Sequence, residues 1–232
     1  MKVVLDDVAK GAALPATSAA FETGRASLAR AETEQRPTVL GLIASGRMRP
    51  DSGAVTIDGA TDFGAMRRRI ALIDAPDVSE PAADVTVSGI VAEELMFAGR
   101  ASHPIAVRRC LRDLGASDHA RQTIGTVPPI VRIRLLAELA LLRKGVEALV
   151  LVSPDRHGGD PVEWWTFARE LAGRGIAVLV VAGDASAAAI AAASLVSRMD
   201  ETDQQTFDED PGRDDTDDLP DLIVTEPTKE GA

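Results

Sequence analysis

Two uninterrupted apolar runs, Ala148–Val152 and Ala177–Val181, leave this chain few ways to fold. A strand that is apolar at every position has no face to give to water, so both of its faces must be covered. That is the situation of a strand in a parallel sheet flanked by helices. The intervening segment supplies a covering helix. Asp160-Pro161-Val162-Glu163 combines an N-cap, a proline at the first helical position and an acid three residues beyond the cap. The helix runs to about Ala172, and Gly173-Arg174-Gly175 ends it. Strand, helix and strand in that order predict a parallel βαβ layer, with a further helix over Ala185–Ser194.

The first third reads as short strands, Lys2–Val8, Ala19–Glu22, Arg25–Arg30 and Ala54–Asp58, the last closed by Gly59. A helix over Pro37–Ala44 is stopped by Ser45-Gly46, and Ile70–Asp74 is another strand. Val87–Phe97, Pro104–Leu114 and Val131–Arg143 read as helices. The third carries Ile133, Leu136, Leu139 and Ala140 at the spacing of a helix face. Together they make a helical insert over about 83–145 in an α/β chain.

Charge sets the domain limits. The formal net charge is −11, from 36 acids and 25 bases. Residues 200–232 hold 13 of the acids against only Arg213 and Lys229, so the rest of the chain is neutral, 23 against 23. The expected division is a folded domain over 1–198 and an acidic tail over 199–232, whose few large apolar groups cannot offset the entropy of ordering it. Aromatics are 3% and tyrosine is absent, which argues against adhesive aromatic surfaces. Cys110 has no partner for a disulfide, and His103, His119 and His157 are too scattered for a metal cluster. Apolar residues after Met1-Lys2 stop at Asp6, short of a secretion signal, and the 13 residues Ala185–Ser197 are too few for a bilayer core of about 30 Å. Arginine outnumbers lysine 21 to 4, which fits a GC-rich bacterial gene.

The phrase Arg49-Pro50-Asp51-Ser52-Gly53-Ala54-Val55-Thr56-Ile57-Asp58-Gly59, followed by Arg67-Arg68-Arg69-Ile70-Ala71-Leu72-Ile73, resembles the segment after the P-loop helix in ATP-binding subunits of ABC transporters. Val85-Thr86-Val87 resembles the start of that family's helical subdomain. Ala148–Val152 with Pro154 and Asp160-Pro161 is similar to its Walker B strand and D-loop, with one residue inserted, and Val178–Val181 with Asp184 to the strand before its switch histidine. The likeness spans roughly 1–198. It implies a P-loop NTPase-like ABC ATPase fold, with a mixed sheet core, antiparallel N-terminal strands and an α-helical insert.

The nucleotide positions of that family are replaced. A P-loop needs glycines to close backbone N–H groups around phosphate and a lysine to neutralise it. The aligned stretch here is Ala31-Glu32-Thr33-Glu34-Gln35-Arg36-Pro37-Thr38. Pro37 stands at the lysine place without an N–H, and Glu32 and Glu34 bring negative charge. By the same alignment Val152 takes the place of the magnesium-binding aspartate and Ser153 that of the general-base glutamate. Gly183 replaces the switch histidine and Ala75 the Q-loop glutamine, Val127–Val131 stands for the signature, and Ala9-Lys10-Gly11 lacks the adenine-stacking aromatic. The resemblance thus implies a vestigial nucleotide face of Arg36, Pro37, Thr38, Val152, Ser153 and Gly183, with no catalytic residue, no metal ligand and no ATP or magnesium cofactor. Thr38 reads as helix-start chemistry, Asp160 as an N-cap, and Ser153 lacks the surroundings of a nucleophile. His157, in the loop Asp155–Gly159, reads as solvent-exposed. Arg67–Arg69 reads as a solvated strand start. Trp164 shares a face with Phe167, Ala168 and Leu171, while Trp165 reads as partly covered or as a partner contact.

The expectation is a non-catalytic homologue that acts as structural or regulatory partner of a membrane transporter-like subunit, held at the cytoplasmic face of the membrane by that partner, with no nucleic acid involved. By resemblance the docking groove lies around Asp74–Phe97. Its candidates are Glu93, Glu94, Leu95, Met96 and Phe97, with Leu95 and Met96 as exposed anchors. Two alternatives stand beside it. One is the degenerate half of a dimer with an intact ATP-binding subunit, against which Pro128-Pro129 in the signature loop argues. The other is a soluble module whose acidic tail engages a basic protein or competes with nucleic acid.

Overall fold

The computed structural model describes residues 1–32 and 36–195. The expected tail over 199–232 and Glu34 lie outside the described residues. Met1–Ala193 form one compact unit.

Three antiparallel strands, β1 (Lys2–Lys10), β2 (Leu14–Glu22) and β4 (Ser52–Ile57), make a sheet of order β2-β1-β4. Val3, Leu5, Val8, Phe21, Val55 and Ile57 point inward from it. The register of β1 shifts after Leu5, where Asp7 has φ +44°. Gly53 makes that irregularity possible: a Cβ there would lie 2.3–2.5 Å from the backbone of Asp6 and Asp7. The second sheet is parallel, with order β3-β7-β6-β5: β3 (Ala26–Arg30), β7 (Ala177–Ala182), β6 (Ala148–Val152) and β5 (Ile70–Ile73). Its two apolar runs are buried throughout, as their composition requires.

Alternate residues of the parallel sheet serve different cores. Leu72, Val150, Val152, Leu179 and Val181 meet the antiparallel sheet and α1 (Arg36–Ala44). Ala71, Ile73, Leu149, Leu151, Val178 and Val180 meet α5 (Pro129–Leu141) and α6 (Pro161–Gly173). Asp160 caps α6 by accepting from Val162 N at 2.8 Å; Trp164 is buried beneath it and Trp165 half-buried. A third core joins α3 (Val87–Phe97), α4 (Pro104–Asp113) and the outer face of α5, with Val87, Ile90, Val91, Leu95, Val107, Leu111, Leu135 and Leu139. Helix α5 is therefore apolar on two sides and links insert to sheet. Each helix of the insert was anticipated within a few residues. A last helix, α7, occupies 184–195. Among the described residues no helix is long and apolar enough to cross a membrane.

Arg67–Arg69 correct the sequence expectation. They close a short helix, α2 (Phe63–Arg69), capped by Asp62 accepting from Ala65 N at 2.8 Å, and are not a strand start. Cationic side chains suit the negative end of a helix. Arg69 is further held by Asp58 at 2.7 Å and Glu147 at 2.8 Å.

Candidate functional site

All four parallel strands end on the same edge of their sheet, so the segments that follow them converge there. β3 leads through Ala31 and Glu32 to Arg36, the first residue of α1; Pro37 behind it is buried and Thr38 half-buried. Val152 ends β6 with its side chain on α1, where a Cβ on Gly41 would come within 2.6 Å of it. Ser153 follows in the left-handed region, φ +48°, and its N–H donates to Val181 O at 2.8 Å. After β7 the chain turns at Gly183 into α7. The sequence-derived positions Arg36, Pro37, Thr38, Val152, Ser153 and Gly183 thus come to one edge.

What occupies that edge is carboxylate. Asp155 Oδ2 accepts from Gly183 N at 2.8 Å and from Ser186 Oγ at 3.2 Å, and Glu32 Oε1 accepts from Asp184 N at 2.8 Å. These N–H groups at the start of α7 are the ones an anion would use. Beside them, a cleft of about 380 Å³ is lined by Leu14, Thr17, Arg30, Glu32, Arg36 and Asp184, with Arg30 and Asp184 3.8 Å apart. Among the described residues no group of three His, Cys, Asp or Glu side chains is placed to hold a metal ion.

A second constellation, at the β5 end of this edge, was not anticipated. Asp74 directly follows β5, with φ +57°, and is 5% exposed. Arg132 of α5, 3% exposed, grips it in a fork, Nε to Oδ2 at 2.9 Å and Nη2 to Oδ1 at 2.7 Å. Arg156 adds Nη2 to Oδ1 at 3.1 Å and reaches Glu80 at 3.1 Å, and its Nη1 donates to Asp74 O. His157 Nε2 lies 2.9 Å from Asp74 Oδ2. Burial pushes the Asp74 carboxyl up, but the hydrogen bonds from Arg132 and His157 and the charge of Arg156 outweigh it and hold the group well below the usual carboxylate range. His157 is therefore half-buried and partnered, which corrects the expectation of a solvent-exposed loop histidine. The sequence did carry one signal. Arg132 falls on an apolar stretch of α5, and an arginine there needs a buried anion.

In the insert the docking candidates separate. Leu95 is 5% exposed and packs on α4, so it is not available as an exposed anchor, because it falls on the same helix face as Val87 and Val91. Glu94 is bound in a fork by Arg143, Nη2 to Oε2 at 2.6 Å and Nε to Oε2 at 3.1 Å. Glu93 is exposed, and Met96 and Phe97 are each 60% exposed, with the Arg143 guanidinium 5.7 Å from the Phe97 ring.

No protein-family model matches the sequence, and none of the curated proteins matches it. Solved structures do resemble the fold. A Pyrococcus furiosus protein assigned as an ABC transporter ATP-binding protein aligns with TM-score 0.59 and 15% identity, over 79% of this chain and 92% of that one. An ATP-binding subunit of an ABC transporter aligns with TM-score 0.53 and 17% identity, over 79% and 80%. A nucleotide-free ATP-binding cassette from an ABC transporter gives 0.56 and 16%, over 79% and 82%. At such identities the likeness is one of fold, and the fold is the α/β, P-loop NTPase-like architecture of ABC ATPase domains.

Proposed function

We propose that this chain is a non-catalytic homologue of ABC-type ATP-binding subunits, serving as structural or regulatory partner of a membrane transporter-like protein at the cytoplasmic face. The observation that carries the reading is the pair of carboxylates at the start of α7, where Asp155 and Glu32 already take the Gly183 and Asp184 N–H groups. Phosphate oxygens brought to that edge would meet negative charge. At about 5 Å and an effective dielectric near 20, each pair of unit charges repels by roughly 3 kcal/mol before screening. Pro37 offers no N–H and Val152 no ligand oxygen, so the residues present do not fit Mg-ATP. With chemistry removed, the surface left to work is the one offered to a partner: the insert, where Met96 and Phe97 stand exposed at the end of α3.

Calorimetry with millimolar Mg-ATP tests the reading on the isolated chain. No binding heat is expected. A micromolar dissociation constant that weakens in Arg36→Ala would overturn the non-catalytic assignment.

A further inference from the structure

One groove of the insert combines apolar and cationic groups. It lies between the first half of α3, helix α4 and the turn at Ser117–His119, with a volume of about 730 Å³. Ala92, Val107 and Leu111 give its apolar lining, and Arg108, Arg112 and Arg121 border it. Among the described residues Arg108 and Arg121 make no hydrogen bond or ion pair, and Arg112 reaches only its neighbour Asp113, at 3.8 Å with both side chains mostly exposed. Elsewhere Arg69, Arg134, Arg143 and Arg174 each face a carboxylate. Over residues 98–125 five arginines stand against Asp113 and Asp118, in a body whose charges cancel only when taken as a whole.

We infer that this groove seats an acidic amphipathic helix of a protein partner, its apolar side chains against Val107 and Leu111 and its carboxylates on Arg108, Arg112 and Arg121. The inference rests on the docking reading above and adds the chemistry of what docks. Guanidinium groups hold carboxylates through two parallel hydrogen bonds, and charge complementarity selects the partner and speeds its encounter. An amphipathic helix presents apolar side chains a turn apart, which an apolar groove accepts. A nucleic acid fits less well, because no aromatic lines the groove to stack a base and its apolar lining offers nothing to a sugar-phosphate chain.

A photo-cross-linking amino acid at Ser102, within the groove, and separately at Arg36, on the nucleotide edge, would be tested in the full chain in native membranes, with the linked peptide sequenced. The expected result is an adduct at Ser102 to a partner segment in which Asp and Glu outnumber Lys and Arg. Its yield should fall roughly tenfold or more in Arg108→Glu/Arg121→Glu and return when the mapped acids of the partner are changed to lysine. Arg108→Gln/Arg121→Gln serves if the reversal does not fold, with melting temperature as the check. A neutral or basic linked segment, or undiminished yield in both variants, overturns the acidic partner while leaving the docking reading intact. A Ser102 adduct to residues 199–232 of this chain also overturns it. Silence at Ser102, with or without capture at Arg36, overturns the groove as the seat of the partner, and the docking reading falls with it when a cross-linker at the exposed Met96 captures no partner either.

Discussion

Asp74 is the residue on which most of the buried charge converges, and its replacement tells what that convergence is worth. Asp74→Asn keeps the shape but leaves Arg132 buried without its anion, a change that typically costs about 3–5 kcal/mol. A fall in melting temperature on the order of 10 °C is expected for a chain of this size. Its pH dependence has a definite sign. The folded carboxyl titrates below its unfolded value of about 4, so its contribution is complete above that value and is lost as pH falls through the folded one. Urea unfolding of wild type and Asp74→Asn should differ by a constant amount above about pH 4 and converge in stronger acid. Asp74→Leu with Arg132→Met should recover most of the loss, since an apolar pair needs no counter-charge. The sequence could place Asp74 as the last residue of a strand and Arg132 on a helix, 58 positions apart, but nothing local joins them. Only the tertiary fold brings α5 over the end of β5. The nucleotide-edge positions came from the family resemblance of the segments that carry them, whereas Glu32 and Asp155 as acceptors at the start of α7 were not legible, for the same reason as Asp74.

At the scale of elements, α1 lies close against β6. A Cβ on Gly41 would meet Val152 Cγ2 at 2.6 Å and Leu72 Cδ1 at 3.1 Å. Helix propensity alone would favour alanine by about 1 kcal/mol, but overpacking of this kind costs about 1–3 kcal/mol. Gly41→Ala is therefore expected to destabilise the chain in urea unfolding, and Val152→Ala to relieve it, the double variant losing less than the sum of the two singles. Strands and helices were read from the sequence where one pattern dominated, as in β6, β7 and the capped α6. The short α2 escaped because Arg67–Arg69 carry no apolar periodicity, and its start depends on a single cap, Asp62. Leu95 was expected as an exposed anchor for its place beside Met96 and Phe97 after Glu93-Glu94, and the packing of α4 turns it inward.

For the molecule as a whole, the neutral body and the acidic remainder should be separable. Truncation after Arg198 is expected to leave the melting temperature within a few degrees, since about 1 kcal/mol moves it by only about 2–4 °C. A larger loss in a thermal scan would count against the division at 198. The order of the parallel sheet has a consequence for how the chain is made. β3 pairs with β7, and β6 lies between β5 and β7, so the sheet has no partner for its early strand until the chain has grown through Ala182. Roughly 150 residues separate Ala29 from its neighbour Val181. At ribosomal speeds of about 5–20 residues per second, β3 waits on the order of 10 s before it can close, while β1, β2 and β4 pair much sooner. The nascent chain should thus hold an antiparallel platform early and complete its parallel layer only once β7 has been made. During that interval β3 is exposed to pairing with other chains, and slower elongation lengthens the exposure.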